Sequence, residues 1–312
     1  MALHRLCFIK CNFIEKWYKL EKLLQELRKN LTKAYALQDV HLLSKQIHNW
    51  LIEPITTSLT KSKIETLVFV LDGDLRNIPM TALYDGRHYL VEKYAIALSP
   101  GLQVLSPQPI KQVKMKALSA GLTITRQGFS ALPNVAVELE QVKSKVSSTV
   151  LLNQDFTTLA LQTQLEEKEF SILHLATHGQ FSSLAAKTYI IAWDKPIFVK
   201  DLDILIRSLD SQRSPIELLV LSACETAAGD DRAVLGLAGV AHKAGARSTI
   251  ASLWSLSDES SAVLMSEFYR ELTQNKLNKA QALRIAQLTM IQNPDYQHPM
   301  TWSGYVLLGN WL

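Results

Sequence analysis

From Lys116 to the end of the chain, short apolar runs alternate with helical patterns, and that alternation restricts the fold more than any other feature. Strand-like runs at 117–122, 148–152, 171–177, 216–222 and 248–253 are interleaved with helical patterns at 134–146, 156–168, 234–244, 258–274 and 277–292, before a last strand near 302–308. Strands joined through helices run parallel, because the crossover carries the chain back to its starting end, and such a sheet is covered on both faces. The expected class is α/β, a three-layer fold around a mostly parallel sheet. Such sheets place their chemistry at the carboxyl ends of the strands. An earlier run, Leu67-Val68-Phe69-Val70-Leu71, reads as a buried strand. It is followed by the turn Asp72-Gly73-Asp74 and by a hairpin-like Tyr84-Asp85-Gly86-Arg87 that leads into Tyr89-Leu90-Val91.

The first 57 residues have a different texture. Phe13, Trp17, Leu20, Leu24, Leu27, Leu31 and Ala34 are spaced by alternating fours and threes, which predicts a helix with a narrow apolar seam that needs a partner. Asp39 is a candidate cap for a second helix carrying Val40, Leu43, Ile47 and Trp50, and Glu53-Pro54 should end it. The expectation is a helical hairpin, either a packing element of the main body or the end of a helical repeat array.

A chain of 312 residues with 47% hydrophobic and 20% charged residues excludes a disordered protein or a single small module. The net charge of +4 comes from residues 1 to 64, which hold 11 Lys and Arg against 5 Asp and Glu, whereas the remainder holds 22 against 24. This modest excess, mixed with acids along helical patterns, reads as a solvated helix face, so neither a nucleic-acid nor a membrane partner is expected. No apolar run reaches the roughly 18 residues of a membrane span, and the N-terminus lacks a clean leader pattern. Cys7, Cys11 and Cys224 are too few for a disulfide framework and suit a reducing, cytoplasmic setting.

Two strand ends carry chemistry. The run Ser171-Ile172-Leu173-His174-Leu175-Ala176-Thr177 stops at His178-Gly179, and Leu218-Leu219-Val220-Leu221-Ser222 stops at Ala223-Cys224-Glu225-Thr226. If the two strands are parallel neighbours, an imidazole and a thiol emerge on one rim. That is the minimum for a thiol nucleophile, since the imidazole can help form the thiolate and later protonate a leaving amine. Attack on a carbonyl builds an oxyanion, for which the amides of Gly179 and Cys224 are candidate donors. The competing reading is structural, because buried cysteines and strand-ending histidines are common. His174, inside the apolar run, reads as a core histidine with satisfied nitrogens.

The stretches LVFVLDGDLRNIPMTALYDG, HLATHG, LLVLSACETAAGD, LAGVAHKAGARSTIASLWSLSDESSAVLMSEFYREL, KAQALRIAQL and HPMTWSGYVLLGNW follow one another through nearly everything after residue 60. In order and spacing they resemble the CHAT domain, the caspase-like module associated with tetratricopeptide repeats and grouped with separases and caspases among cysteine peptidases. The resemblance implies a caspase-like peptidase half over 116–312, a degenerate N-terminal half over 58–115 and a hairpin over 1–57. It also implies a cysteine endopeptidase that makes limited cuts in proteins, with His178 and Cys224 at the family's histidine and cysteine positions. The segment Leu253-Trp254-Ser255-Leu256-Ser257-Asp258 looks like the stretch that in separases helps bind the residue before the cut. Asp258 would then floor a pocket for Arg or Lys and Trp254 would form its wall, while the same residues also suit a helix start. The turn Ala227-Ala228-Gly229-Asp230-Asp231 holds less glycine than the family usually has there, and the upstream repeats are reduced to one hairpin.

Glu225, next to the candidate nucleophile, is a further substrate-binding candidate, and Arg76 is a possible partner for an acid. There is no phosphate-loop pattern, no dinucleotide fingerprint and no zinc or calcium signature, so no cofactor or metal is expected. The expected partners are a protein substrate and a regulatory or helical-repeat protein. The rival from another class is a catalytically silent caspase-like scaffold for protein–protein interaction.

Overall fold

A computed structural model describes residues 13–101, 108–109, 115–182, 184–207, 215–222, 225–226 and 246–312. Its spine is an eight-stranded sheet made of β1 (Thr66–Phe69), β2 (Ala95–Leu98), β3 (Lys116–Gly121), β4 (Ser147–Leu152), β5 (Ile172–Ala176), β9 (Leu218–Ser222), β11 (Ser248–Ser252) and β12 (Tyr305–Gly309). The spatial order is β1-β2-β12-β11-β9-β5-β3-β4. Every pairing is parallel except β11 with β12, so two parallel blocks meet at one antiparallel seam. A second sheet of four strands, in the order β10-β6-β7-β8, is built from β6 (Gly179–Phe181), β7 (Tyr189–Ile191), β8 (Pro196–Phe198) and β10 (Glu225–Thr226).

The pleat explains the layers. Along β5, Ile172 faces one apolar cluster and Leu173 and Leu175 face another, and along β9 Leu218 and Val220 alternate with Leu219 and Leu221 in the same way. The first face is covered by α5 (Val135–Lys145), α8 (Asp258–Thr273) and α9 (Lys279–Gln292), the second by α6 (Thr158–Glu167) and α7 (Val199–Arg207). Helix starts carry their own signals. Thr157 accepts from Ala160 N–H, Ser257 from Ser260 N–H and Asn278 from Gln281 N–H, each satisfying a donor that the first turn leaves open. Among the described residues no helix is long and apolar enough to cross a membrane.

The N-terminal hairpin pairs α1 (Phe13–Leu31) with α2 (Leu37–Leu51), and Leu24, Leu27, Leu31, Val40 and Ile47 bury its seam. That seam is continuous with the core around Ile78, Met80 and Trp302, so the hairpin shares the main body's apolar cluster. Asp39 does not cap α2. The helix starts two residues earlier at Leu37, with Ala36 at the cap position and no side-chain bond there. Pro54 does interrupt it, through a 3-10 turn at Glu53–Ile55 that feeds α3 (Thr56–Lys61).

Two local expectations are corrected. The first strand ends at Phe69 and does not extend to Leu71. Tyr84 and Tyr89 do bridge as a hairpin would, but Leu90–Lys93 then forms α4, because Glu92 turns back to accept from the Tyr89 N–H and nucleates a turn. The strand that follows is β2, which begins two residues after α4 ends. The remaining helix is α10 (Pro299–Trp302), capped by His298, whose Nδ1 accepts from Met300 N–H. The helix expected at 234–244 lies outside the described residues.

Candidate active site

Strands β5 and β9 are parallel neighbours in the register Ile172↔Leu218 through Ala176↔Ser222, as their strand-ending motifs require. Both chains then leave the large sheet and enter the small one side by side, with Glu225 opposite Gln180 and Thr226 opposite Phe181. Thr177 fastens the crossing. Its N–H donates to Ser222 O and its hydroxyl to Ile191 O, so a buried polar residue at the strand end is satisfied on both sides. Cys224 lies outside the described residues; the flanking Ser222 and Glu225 pair with Ala176 and Gln180, the residues two positions either side of His178.

His178 is half-buried at the carboxyl end of β5. Its Nε2 lies 2.9 Å from Ser130 O. A carbonyl only accepts, so Nε2 carries the proton, and the neutral ring has its lone pair at Nδ1, for which no described residue supplies a partner. The ring also stacks on Phe129, with centroids 5.0 Å apart and planes inclined by 26°. Neither Ser130 nor Phe129 was signalled by the sequence, since a main-chain carbonyl has no residue signature.

The backbone at Gly179 has a defined direction. Ile191 N–H donates to His178 O, which makes Gly179↔Ile190 a non-hydrogen-bonded pair of the β6–β7 ladder. The Gly179 amide therefore points away from β7, toward the side on which β10 lies. No Cβ crowds that approach.

Asp258 is the first residue of α8, and its Oδ2 accepts from Asn134 N–H at 2.7 Å, at the start of α5. Trp254 is 7% exposed, packs over Gly304 and donates its indole N–H to Met300 O at 3.0 Å. For Glu225 the backbone pairing with Gln180 is described. Arg76 finds its acid in Asp72, 3.1 Å away, with Nε donating to Leu71 O, well within its own turn.

Beneath the rim, His174 is fully buried and satisfied at both nitrogens, 3.0 Å from Tyr269 Oη and 2.9 Å from Glu138 Oε1. This is the core role its position predicts. Burial, with Glu138 nearby, pushes the Tyr269 hydroxyl well above the ordinary phenol range, so it stays protonated in its hydrogen bond with Nδ1 of His174. The trio ties β5 to α5 and to α8. Among the described residues no group of three metal-ligating side chains converges.

No curated protein matches this sequence. Among solved structures, the chain is similar to the Arg-specific cysteine proteinase gingipain R (RgpB) at 10% identity, with a TM-score of 0.51 over 95% of this chain and 75% of that one. A complex of the Porphyromonas gingivalis RgpB pro- and mature domains aligns at 10% identity and a TM-score of 0.48, covering 95% and 77%. At this identity the likeness to gingipain R concerns the fold, and it agrees with the caspase-like α/β sheet described above. The sequence profile of the CHAT domain matches residues 41–310, most of the chain, and the protein therefore belongs to the CHAT domain family.

Proposed function

We propose that the protein is a cysteine endopeptidase that makes limited cuts in protein substrates through His178 and Cys224. The observation that carries this reading is the double register: Ala176↔Ser222 in the pair β5–β9 and Gln180↔Glu225 in the pair β6–β10 bracket the two candidate residues in sequence where both segments pass from one sheet to the other. The bond from Nε2 to Ser130 O adds to it, because it leaves Nδ1 as the ring's free base.

The chemistry runs as follows. Nδ1 of His178 takes the thiol proton of Cys224, and the thiolate sulfur attacks the scissile carbonyl carbon. The amides of Gly179 and Cys224 hold the developing oxyanion; the direction of the Gly179 N–H, away from β7, supports its part. The imidazolium returns the proton to the leaving amine nitrogen, and water, deprotonated by the same ring, hydrolyses the thioester. Asp258, Trp254 and Glu225 are assigned to substrate contact. With Oδ2 of Asp258 engaged by Asn134, Oδ1 is the atom left for a basic side chain before the cut.

Labelling with a peptide bearing a thiol-reactive electrophile tests the proposal on the full chain. Cys224→Ala should abolish labelling, and His178→Ala should slow it by about 10²- to 10⁴-fold while the protein stays folded. A folded wild type that is not labelled at Cys224, or a Cys224→Ala protein that still turns over a substrate, would sink the covalent mechanism and leave a scaffold with a peptidase fold.

A further inference from the structure

The proposed reaction needs the ring of His178 held in one tautomer and one orientation, and one hydrogen bond to a loop carbonyl fixes neither unless the loop itself is fixed. The loop is residues 123–133, between β3 and α5, and it contains a two-residue hairpin. Arg126 N–H donates to Phe129 O and Phe129 N–H to Arg126 O, at 3.2 and 2.9 Å. Gln127 and Gly128 at its tip both have positive φ, 51° and 86°, as the tightest hairpin turn demands.

The hairpin is bolted to the turn after β7. Arg126 Nε donates to Trp193 O at 2.9 Å, its guanidinium lies 4.1 Å from the centre of the Trp193 ring, and Gln127 Nε2 donates to Ala192 O at 3.0 Å. That turn is in turn joined to His178 itself, since Ile191 N–H donates to His178 O. The contacts therefore close a ring: His178 backbone, Ile191, Ala192 and Trp193, Arg126 and Gln127, Phe129 and Ser130, and back to the imidazole. Everything in it is local to one rim of the molecule.

We infer that Arg126 and Phe129 are positioning residues for His178, with Phe129 setting the plane of the ring and Arg126 fixing the hairpin that carries both Phe129 and the Ser130 carbonyl. This deepens the peptidase reading and rests on it for its catalytic meaning. Arginine suits the position because one side chain supplies both a directed Nε–H and a flat face for the indole; lysine offers only a point charge. Phe129 acts through shape, so a tyrosine should replace it and an alanine should not.

The test is made on the full-length chain, with His178 assigned by comparison with His178→Ala. Imidazole nitrogen chemical shifts separate the two neutral tautomers without any substrate. Wild type should show the Nε2–H tautomer alone. Arg126→Ala, Arg126→Lys and Phe129→Ala should each give a mixture of tautomers, and Phe129→Tyr should restore the single form, with backbone amide spectra outside residues 123–133 and 178–193 unchanged. Where the wild type is labelled at Cys224, the three loosened variants should react about 10- to 100-fold more slowly, and Phe129→Tyr at close to the wild-type rate. A pure, unchanged tautomer in Arg126→Ala or in Phe129→Ala overturns the assignment. Absence of labelling in the wild type counts against the peptidase reading and leaves the tautomer result standing on its own.

Discussion

At the scale of single residues, the rim around His178 depends on positions where a side chain would be too much. Gly121 ends β3 opposite Ala176, and a Cβ built there would lie 2.7 Å from Ala176 O and 2.5 Å from Cγ1 of Val135. The first contact is backbone, two residues before His178, and the second belongs to the first residue of α5, so neither yields cheaply. Gly121→Ala should cost about 1–3 kcal/mol of stability, read from the urea midpoint, and slow Cys224 labelling, because overpacking displaces the strand end. Gly128→Ala is the contrasting case. Nothing lies within 4 Å of its Cβ, but its φ of 86° strains any L side chain, so the expected loss is about 1 kcal/mol of turn stability without a clash. A Gly121→Ala protein as stable as wild type would remove the tight-contact account. At this scale the apolar run made legible the core role of His174 and the place of His178 and Gly179 just past the end of β5. Ser130 and Phe129 were hidden, because their roles arise where a loop folds back from a distance of 48 residues.

At the scale of elements, the helices α5 and α8 are held together above β5 at two levels, by Asp258 on the Asn134 amide at the rim and by Glu138, His174 and Tyr269 inside. The two readings of Asp258 now make separable forecasts. Asn in its place keeps an oxygen for the Asn134 N–H, so Asp258→Asn should lose well under about 1 kcal/mol of stability, whereas Asp258→Ala should lose about 1 kcal/mol. If Asp258 also floors the pocket, Asp258→Asn depresses cleavage after Arg or Lys by the equivalent of about 2 to 5 kcal/mol and spares cleavage after Leu or Met. Profiling both variants on a peptide library decides it, and an unchanged preference removes the pocket role. The large-sheet strands from Lys116 onward and the helices α5, α6, α8 and α9 were legible because each is long enough to show its period, whereas the nine-residue α7 was not anticipated. The small sheet was not: β6, β7 and β8 have three residues each, shorter than one reading of an alternating pattern. The four-residue β2 escaped for the same reason, coming directly after the turn of helix at Leu90–Lys93.

At the scale of the whole molecule, the proposed site and a buried charge sit at opposite ends of the sheet. His178 follows the carboxyl end of β5, whereas Glu217 and Arg247 precede the amino ends of β9 and β11, and Lys279, the first residue of α9, lies near both. Lys279 is fully buried, and its ammonium has no hydrogen-bond partner among the described residues. Burial lowers its pKa from 10.5 to about 8, with Glu217 opposing the shift and Arg247 adding to it. Between those two values the unfolded chain binds more protons at this site than the folded one, so stability rises with pH there; below about pH 8 both forms are charged and the full penalty stands. The span corresponds to about 3 kcal/mol. Lys279→Met should therefore be more stable than wild type at pH 7, by up to that amount less whatever Glu217 loses, and the difference should shrink as pH approaches 10. Ionisation of tyrosines above pH 10 is common to both proteins and cancels in the comparison. Because the substitution lies at the far end of the sheet, labelling at Cys224 should keep its wild-type rate. Urea midpoints at pH 7 and 9.5 provide the check, and a difference that does not change with pH would show that Lys279 is not the charge the fold carries at a cost.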